Sequence, residues 1–337
     1  MFLFHRILPF FCCLLTGLSA LPAQDLHFSQ PYMQPPAINP ALTGVMVGPW
    51  RAMAAYRDQW SSVPVAYRTV SAGADAKLWK KARAMAAGGL FLSHDQAGDL
   101  GLRWTQVGIT GSYAQALGAS QALSVGAGLG AIQRSFDFSS LRVKNQWDGA
   151  QYVPGLPTKE LLADATGANL TLSAGLNWHF QPQGTRTRID LGAAGAHLNQ
   201  PALSFDENDP YQLPTRWVAN GFGAWQIGDA TDLVFYGLWQ RMESAGETLA
   251  GAGARRILTS GVANHTALQL TLGIRPGDAL IPAIQVERND WTVGFSYDVN
   301  ISGFDVATHQ RGGFELAVVY SPLPVPPVKT AKACPIF

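Results

Sequence analysis

The chain has 337 residues, of which 47% are hydrophobic, only 14% are charged and 35 are glycine. Disorder is excluded because it requires low hydrophobicity and high net charge. The 24 basic and 23 acidic residues leave a net charge of +1, so the composition offers no basic surface for nucleic acid.

Residues 1–23 have the pattern of a secretory signal peptide. One fixed positive charge at Arg6 precedes an almost unbroken apolar run over residues 7–21, and Ala23 provides a small residue for cleavage. The run is too short for a typical membrane span, and a retained membrane anchor is the alternative. Cleavage would leave Cys334 as the sole cysteine, so no internal disulfide is expected.

From residue 49 to residue 321, apolar and polar residues alternate with a period of two. Residues 170–180 are apolar at every even position and polar or glycine at every odd one, and residues 291–299 repeat the pattern. Such alternation predicts strands with one apolar and one polar face, of a length close to the roughly 9–11 residues of a membrane-spanning strand. The predicted strands are 49–56, 68–78, 83–92, 103–114, 121–136, 169–180, 188–198, 215–227, 232–240, 247–258, 266–274, 279–287, 291–300 and 313–320.

The links between these strands are alternately short and long, except that 241–246 and 275–278 are short where long ones are expected. Outer-membrane barrels have short periplasmic turns, long outer loops and an even number of strands. The sequence therefore predicts an all-β fold, a closed antiparallel transmembrane β-barrel of outer-membrane type with about 14 strands and both termini in the periplasm. A soluble β-sandwich is the alternative, because it also produces alternating strands.

The segments before and after the barrel are rich in proline. Four prolines within residues 24–48 prevent regular ladder pairing, so we expect an irregular N-terminal segment at the periplasmic mouth or in the lumen. After a transmembrane barrel over residues 49–321, residues 322–337 are expected to form a Pro-rich periplasmic tail.

No residue pattern indicates catalysis. The histidines are scattered over separate elements, and the sequence contains neither a zinc-binding motif nor a nucleophile elbow. We interpret the protein as a non-enzyme without catalytic, cofactor-binding or metal-binding residues. A hydrolase embedded in the barrel would instead need an inward-facing Ser–His pair within hydrogen-bond reach.

Several short motifs occur in order along nearly the whole chain. They are His27-Phe-Ser-Gln30, Asn39-Pro-Ala-Leu-Thr-Gly44, Tyr56-Arg-Asp-Gln-Trp60, Ser71-Ala-Gly-Ala-Asp75, Asp95-Gln-Ala-Gly98, Ala196-His-Leu-Asn-Gln-Pro201, Gly294-Phe-Ser-Tyr-Asp298 and Cys334-Pro-Ile-Phe337. In this order the motifs resemble those of the PorP/SprF family, outer-membrane proteins of the Bacteroidetes type IX secretion and gliding machinery. One departure is Phe314, which stands before Glu315 where the family pattern would place histidine.

The resemblance implies a set of motif positions that serve partner contact or structure. They are His27, Phe28, Ser29, Gln30, Asn39, Pro40, Tyr56, Arg57, Gln59, Trp60, Asn199, Gln200, Pro201, Tyr297, Asp298 and Glu315.

The resemblance also implies a function in protein secretion. Family members help to export or retain large surface adhesins, so the expected partners are outer-membrane lipid, periplasmic type IX secretion components and the sorting domains of secreted cargo. Neither a cofactor nor nucleic acid is expected. The alternative is an outer-membrane porin or hydrophobic-solute transporter, which the same barrel would accommodate.

Overall fold

The computed structural model describes residues 27–59, 67–98, 101–136, 144–153, 156, 168–204, 211–261, 264–303 and 311–322. The predicted signal peptide, Trp60 and the tail that carries Cys334 lie outside these residues. Within the described ranges, the helices are all too short or too polar to cross a membrane.

Fourteen antiparallel strands form one closed barrel, in which every strand pairs with its sequence neighbours and β1 pairs with β14. The predicted closed barrel of about 14 strands is therefore confirmed. The strands are β1 Trp50–Gln59, β2 Tyr67–Lys80, β3 Ala84–Ala97, β4 Leu102–Ala116, β5 Gln121–Ser135, β6 Asn169–Phe180, β7 Arg188–Ala196, β8 Arg216–Gln226, β9 Thr231–Met242, β10 Ala245–Ser260, β11 His265–Arg275, β12 Ala279–Arg288, β13 Trp291–Asn300 and β14 Arg311–Tyr320.

Strand β3 differs most from its predicted bounds, because it continues to Ala97 instead of ending at residue 92. Its last residues are polar and resemble a loop in the sequence. In the structure they pair with the start of β4, where Ser93 lies opposite Gln106 and Ala97 opposite Leu102. Backbone pairing with a neighbouring strand thus extends β3 beyond its apolar pattern.

The register separates apolar and polar side chains onto two faces. In β6, Leu170, Leu172 and Leu176 are exposed on the outer face, whereas Thr171 and Asn177 are buried on the lumenal face. Exposed apolar side chains on other strands continue this outer surface, which suits contact with hydrocarbon. Examples are Val70, Leu90, Val107, Ile109, Leu129, Leu233, Leu270, Leu272, Ile284, Val293, Phe295 and Leu316.

We call the barrel end that contains Trp50 and Tyr320 the terminal end, and the opposite end the loop end. The terminal end carries the short links that follow the even-numbered strands, such as 117–120 and 289–290. Most links at the loop end are longer, such as 197–215. Residues 243–244 form a tight hairpin there, with Glu243 at φ 54°, which accounts for one of the two unexpectedly short links.

Residues 27–49, which we call the plug, precede β1 and contain three single-turn elements. These are a 3-10 turn Pro31–Met33, a one-turn helix α1 Pro35–Ile38 and a 3-10 turn Pro40–Leu42. Each begins with proline, whose missing N–H is tolerated in the first turn of a helix. The prolines that exclude this segment from the sheet therefore initiate its short turns.

Candidate functional site

The plug crosses the lumen from the loop end to the terminal end. Near the loop end, Ser29 contacts Asp298 of β13, and near the terminal end the Nζ of Lys77 in β2 donates to the carbonyl of Met46 at 2.7 Å. Between them, Tyr32 packs against Tyr236 of β9 with ring centroids 4.8 Å apart. A segment that contacts strands on several sides of a closed barrel lies inside it.

Two buried arginines and two buried carboxylates face each other in the lumen near the loop end. Arg57 of β1 lies 2.7 Å from Asp298 and 3.4 Å from Glu315 of β14, and Arg275 of β11 lies 3.1 Å from Asp298. All four side chains are almost completely shielded from solvent. We call Arg57, Arg275, Asp298 and Glu315 the lumenal charge cluster.

The plug supplies hydrogen bonds that complete this cluster. The backbone N–H groups of Ser29 and Gln30 donate to the two carboxylate oxygens of Glu315 at 2.7 and 2.9 Å. The Ser29 hydroxyl donates to Asp298 at 2.7 Å and accepts hydrogen bonds from Arg57 and Arg275. Because a buried carboxylate needs several donors, the lumenal charge cluster holds Ser29 and Gln30 of the plug in place. We call this contact the loop-end anchor.

Apolar contacts support the same anchor. Phe28 and Met33 are buried with Ala55 of β1 and Ala317 of β14. The neighbouring His27 lies with its Nδ1 3.9 Å from a carboxylate oxygen of Glu247. Burial lowers the pKa of His27 below its usual 6.5, although Glu247 acts in the opposite direction.

Asn39 forms a second anchor halfway along the plug. Its side-chain amide donates to the carbonyl of Leu176 and to the Asn220 side chain, both at 3.0 Å, and its own oxygen caps the N–H of Ala41 at 2.9 Å. Asn39 lies so close to Gly175 and Gly192 that a Cβ at either glycine would overlap it. The Asn39 side-chain amide therefore fits against the barrel wall only because residues 175 and 192 are glycines, which have no Cβ.

The same relation applies to other lumenal glycines. A Cβ at Gly126 would overlap the backbone of Pro40 and Ala41, and a Cβ at Gly294 would overlap the Gln30 side chain. The small residues on the inner face of the strands therefore make room for the plug backbone and its polar side chains.

A third anchor holds the end of the plug nearest to β1. Asp75 of β2 accepts the Gly44 N–H at 2.6 Å and forms an ion pair with Arg51 at 2.7 Å. Arg51 also donates to the carbonyl of Leu42 at 3.2 Å, and the Thr43 hydroxyl donates to Thr110 at 2.8 Å. Gly44 has φ 76°, a conformation that favours glycine at this turn.

The structure brings together about half of the motif positions highlighted in the sequence. Phe28, Ser29, Gln30, Arg57, Asp298 and Glu315 share the loop-end anchor, Gln59 accepts from Arg57 at 3.2 Å, and Asn39 and Pro40 form the second anchor.

The other motif positions lie elsewhere. The Asn199 side chain accepts a hydrogen bond from the Leu172 N–H and donates one to the Leu170 carbonyl, both in β6. The adjacent Gln200 and Pro201 belong to the same loop. Tyr56 contacts Phe314 on the outer face, and Tyr297 is also on this face. The departure at Phe314 therefore points away from the lumen, whereas Glu315 faces inward. Trp60 lies outside the described residues.

Arg275 and Asn220 were not among the motif positions, although both bind the plug. Asn220 has inward parity in a predicted strand, which alone does not distinguish it from other lining residues, and Arg275 lies just beyond the predicted strand 266–274, whereas β11 includes it. Among the described residues, no group of three His, Cys, Asp or Glu side chains is arranged to hold a metal ion. The residues of these anchors instead fix one segment of the chain inside the barrel.

A closed antiparallel barrel with an apolar exterior and a plug anchored in its lumen defines a transmembrane β-barrel protein. Residues 20–320 match the family described as type IX secretion system membrane protein PorP/SprF. The chain belongs to the PorP/SprF family.

Solved structures with a similar course of the chain have low sequence identity to it. The toluene transporter TbuX of Ralstonia pickettii is 12% identical, with a TM-score of 0.48 over 88% of this chain and 94% of that one. The deltaS2S3 mutant of the monoaromatic hydrocarbon channel TodX is 8% identical, with a TM-score of 0.48 over 85% and 93%. No curated protein matches the chain.

Proposed function

We propose that this barrel is a non-enzymatic outer-membrane component of the type IX secretion and gliding machinery, which helps to export or retain large adhesin-like cargo. Family membership supports the secretion system as its setting. The observation that carries the proposal is the plug, because a lumen crossed by a firmly anchored segment is unsuited to open solute diffusion. The cavity beside α1 has a volume of only about 60 Å³.

The proposed orientation places the terminal end in the periplasm, since short turns face the periplasm in outer-membrane barrels. Pro322 then lies on the periplasmic side, as expected for the C-terminal tail. His27 lies at the opposite end, next to Glu247 near the start of β10. The two chain termini themselves lie outside the described residues, and the placement of both in the periplasm stays a prediction.

The test in cells is deletion of the gene followed by quantification of the surface proteome. We expect specific large surface proteins to disappear and to return on complementation with the wild-type gene. Unchanged surface proteins together with altered uptake of small solutes would overturn the proposal and favour the transporter alternative.

The matching test in vitro is conductance in planar bilayers. The wild-type barrel is expected to be closed, and a variant that lacks residues 28–44 is expected to conduct. A wild-type barrel that conducts as strongly as the deletion variant would contradict the proposed role of the plug. Heat-modifiable migration on gels shows whether the variant still forms a barrel.

A further inference from the structure

A groove of about 370 Å³ opens at the terminal end of the barrel, beside the third plug anchor and away from the other two. Its floor is the end of the plug at Val45, Met46 and Val47, and its wall consists of the ends of β2 to β7. Val47 is 61% exposed, so part of this floor is apolar and accessible.

The rim of the groove is strongly basic. Its lining includes Lys77, Lys80, Lys81, Arg83 and Arg188, and the lining contains no carboxylate among the described residues. Arg188 lies 3.4 Å from Asp190, and Lys77 donates to plug carbonyls. Within the described part of the chain, Lys80, Lys81 and Arg83 form no ion pair, so their charges are uncompensated.

Across the mouth from the groove, two inward-facing arginines of the described residues are instead paired with carboxylates. Asp232 pairs with Arg186 at 2.9 Å and with Arg255 at 2.8 Å. Arg255 also pairs with Glu287 at 2.6 Å. Because Arg186 and Arg255 opposite the groove are paired with carboxylates, the local field at the lumenal mouth attracts anions to the groove.

The backbone directs Lys80 toward the mouth and not toward lipid, whereas the Lys81 Nζ lies 5.3 Å from the centroid of the Trp79 ring. A bulge between Lys77 and Trp79 shifts the register of β2, so that Lys80 lies opposite Met85. Both residues line the groove together with Ser124 and His179, which belong to the lumenal face of their strands. Lipid headgroups contact the outer perimeter, so a ligand of this groove approaches from the aqueous side.

We propose that this groove binds an acidic peptide segment of a soluble partner protein, with carboxylates at the basic rim and apolar side chains on the valine–methionine floor. Charge complementarity selects the acidic residues, and the exposed floor selects the apolar ones. The proposal rests on the proposed function only for the question of which proteins supply the partner. The groove itself belongs to the barrel and does not depend on that function.

The test uses the full-length barrel purified in uncharged detergent. The probe is a fluorescent peptide of alternating Glu and Leu residues, followed by anisotropy, and its neutral counterpart carries Gln in place of Glu. The variant Lys80→Gln/Lys81→Gln/Arg83→Gln is expected to weaken binding about tenfold, because three exposed charges each contribute modestly. Binding of the wild type is expected to weaken as salt is raised.

The matched control is Arg256→Gln, which removes an exposed cation from the outer face of β10 near the same end. It is expected to change the affinity less than about twofold, in line with a small contribution of a distant surface charge. Heat-modifiable migration on gels checks that every variant still forms a barrel. Equal binding of the neutral peptide, or equal loss in the control and the triple variant, would overturn the proposal.

A competition experiment separates the peptide from a lipid ligand. Peptide binding is compared between barrels in nanodiscs of zwitterionic lipid and barrels in nanodiscs containing phosphatidylglycerol, and we expect similar affinity in both. Loss of peptide binding in the anionic discs would assign the groove to lipid headgroups and contradict the proposal. Failure of peptide binding would leave the surface-proteome test of the secretion function unaffected.

Discussion

Single residues in the lumen decide where the plug lies, and Glu315 binds the plug backbone directly at two points. It is buried in β14 and accepts two backbone N–H groups while facing Arg57. A buried ion pair contributes little net stability compared with apolar packing, but removal of one partner leaves the other charge uncompensated. The main role of the lumenal charge cluster is therefore to fix the position of the plug, and not to add net stability to the fold.

Substitution Glu315→Ala is expected to destabilise the folded protein by about 3–5 kcal/mol, because Arg57 would lose one buried partner and two plug N–H groups would lose their acceptor. Urea unfolding in detergent, with hydrogen exchange at Ser29 and Gln30, measures both effects. Glu243→Ala in the exposed β9–β10 hairpin is the control and should change stability by less than about 0.5 kcal/mol. Unchanged exchange at Ser29 would contradict the anchor.

His27 makes the loop-end anchor dependent on pH. Burial lowers its pKa below 6.5, so the neutral form favours the docked plug. This contribution is present above pH 6.5 and is lost as the pH falls through the lowered pKa. The charged groups that influence it are Glu247, Asp278, Arg57 and Arg275.

We therefore expect protection factors of the Phe28–Gln30 amides to fall as the pH is lowered from about 7.5 to below 6.5, after correction for intrinsic exchange rates, because the neutral form of His27 is lost as the pH falls through its lowered pKa. The variant His27→Gln should show a smaller fall, because the remaining change then reflects carboxylates alone. An identical pH profile in both proteins would exclude His27 as the cause.

At the scale of elements, the plug and the strand walls are complementary in shape. Glycine on the inner face is a weak strand former, since it gains no side-chain packing. Here it permits close approach of backbone to backbone, as at Gly126 beneath Pro40 and Ala41. The glycines on the inner face of the strands are therefore explained by the space that the plug needs as much as by the requirements of the sheet.

Substitution Gly126→Val is expected to displace the middle of the plug while the barrel remains closed, because the new side chain overlaps the plug backbone. Planar-bilayer conductance should rise from closed toward that of the plug deletion. The control is Gly111→Val on β4, where a Cβ would lie 3.9 Å from its nearest neighbour, the Ala87 carbonyl oxygen. Equal conductance in both variants would contradict a steric role for Gly126.

At the scale of the whole molecule, the position of each exposed apolar residue along the outer face predicts its depth in the membrane. Leu129 lies at mid-height in β5, whereas Leu258 lies near the terminal end of β10, and both are exposed. The cost of a charged side chain on a lipid-facing strand falls from the bilayer midplane toward the interface.

We expect Leu129→Arg to destabilise the barrel in lipid by about 2–4 kcal/mol, and Leu258→Arg by about 0–1 kcal/mol. Unfolding in urea from large lipid vesicles measures the difference between the two variants. Similar losses at both positions would show that the hydrocarbon layer does not lie where the outer face places it.

The sequence alone predicted about 14 two-faced strands and the family resemblance, because alternation with a period of two and ordered motifs are local properties of the chain. It also identified residues such as Ser29, Arg57, Asp298 and Glu315 without indicating that they meet. Their separation along the chain is too large for any local pattern to join them, since β1 and β14 become neighbours only when the barrel closes. Closure of the barrel therefore brings the residues of the lumenal charge cluster together. It also fixes the course of the plug from the loop end to the terminal end and forms the basic groove at the end of the plug.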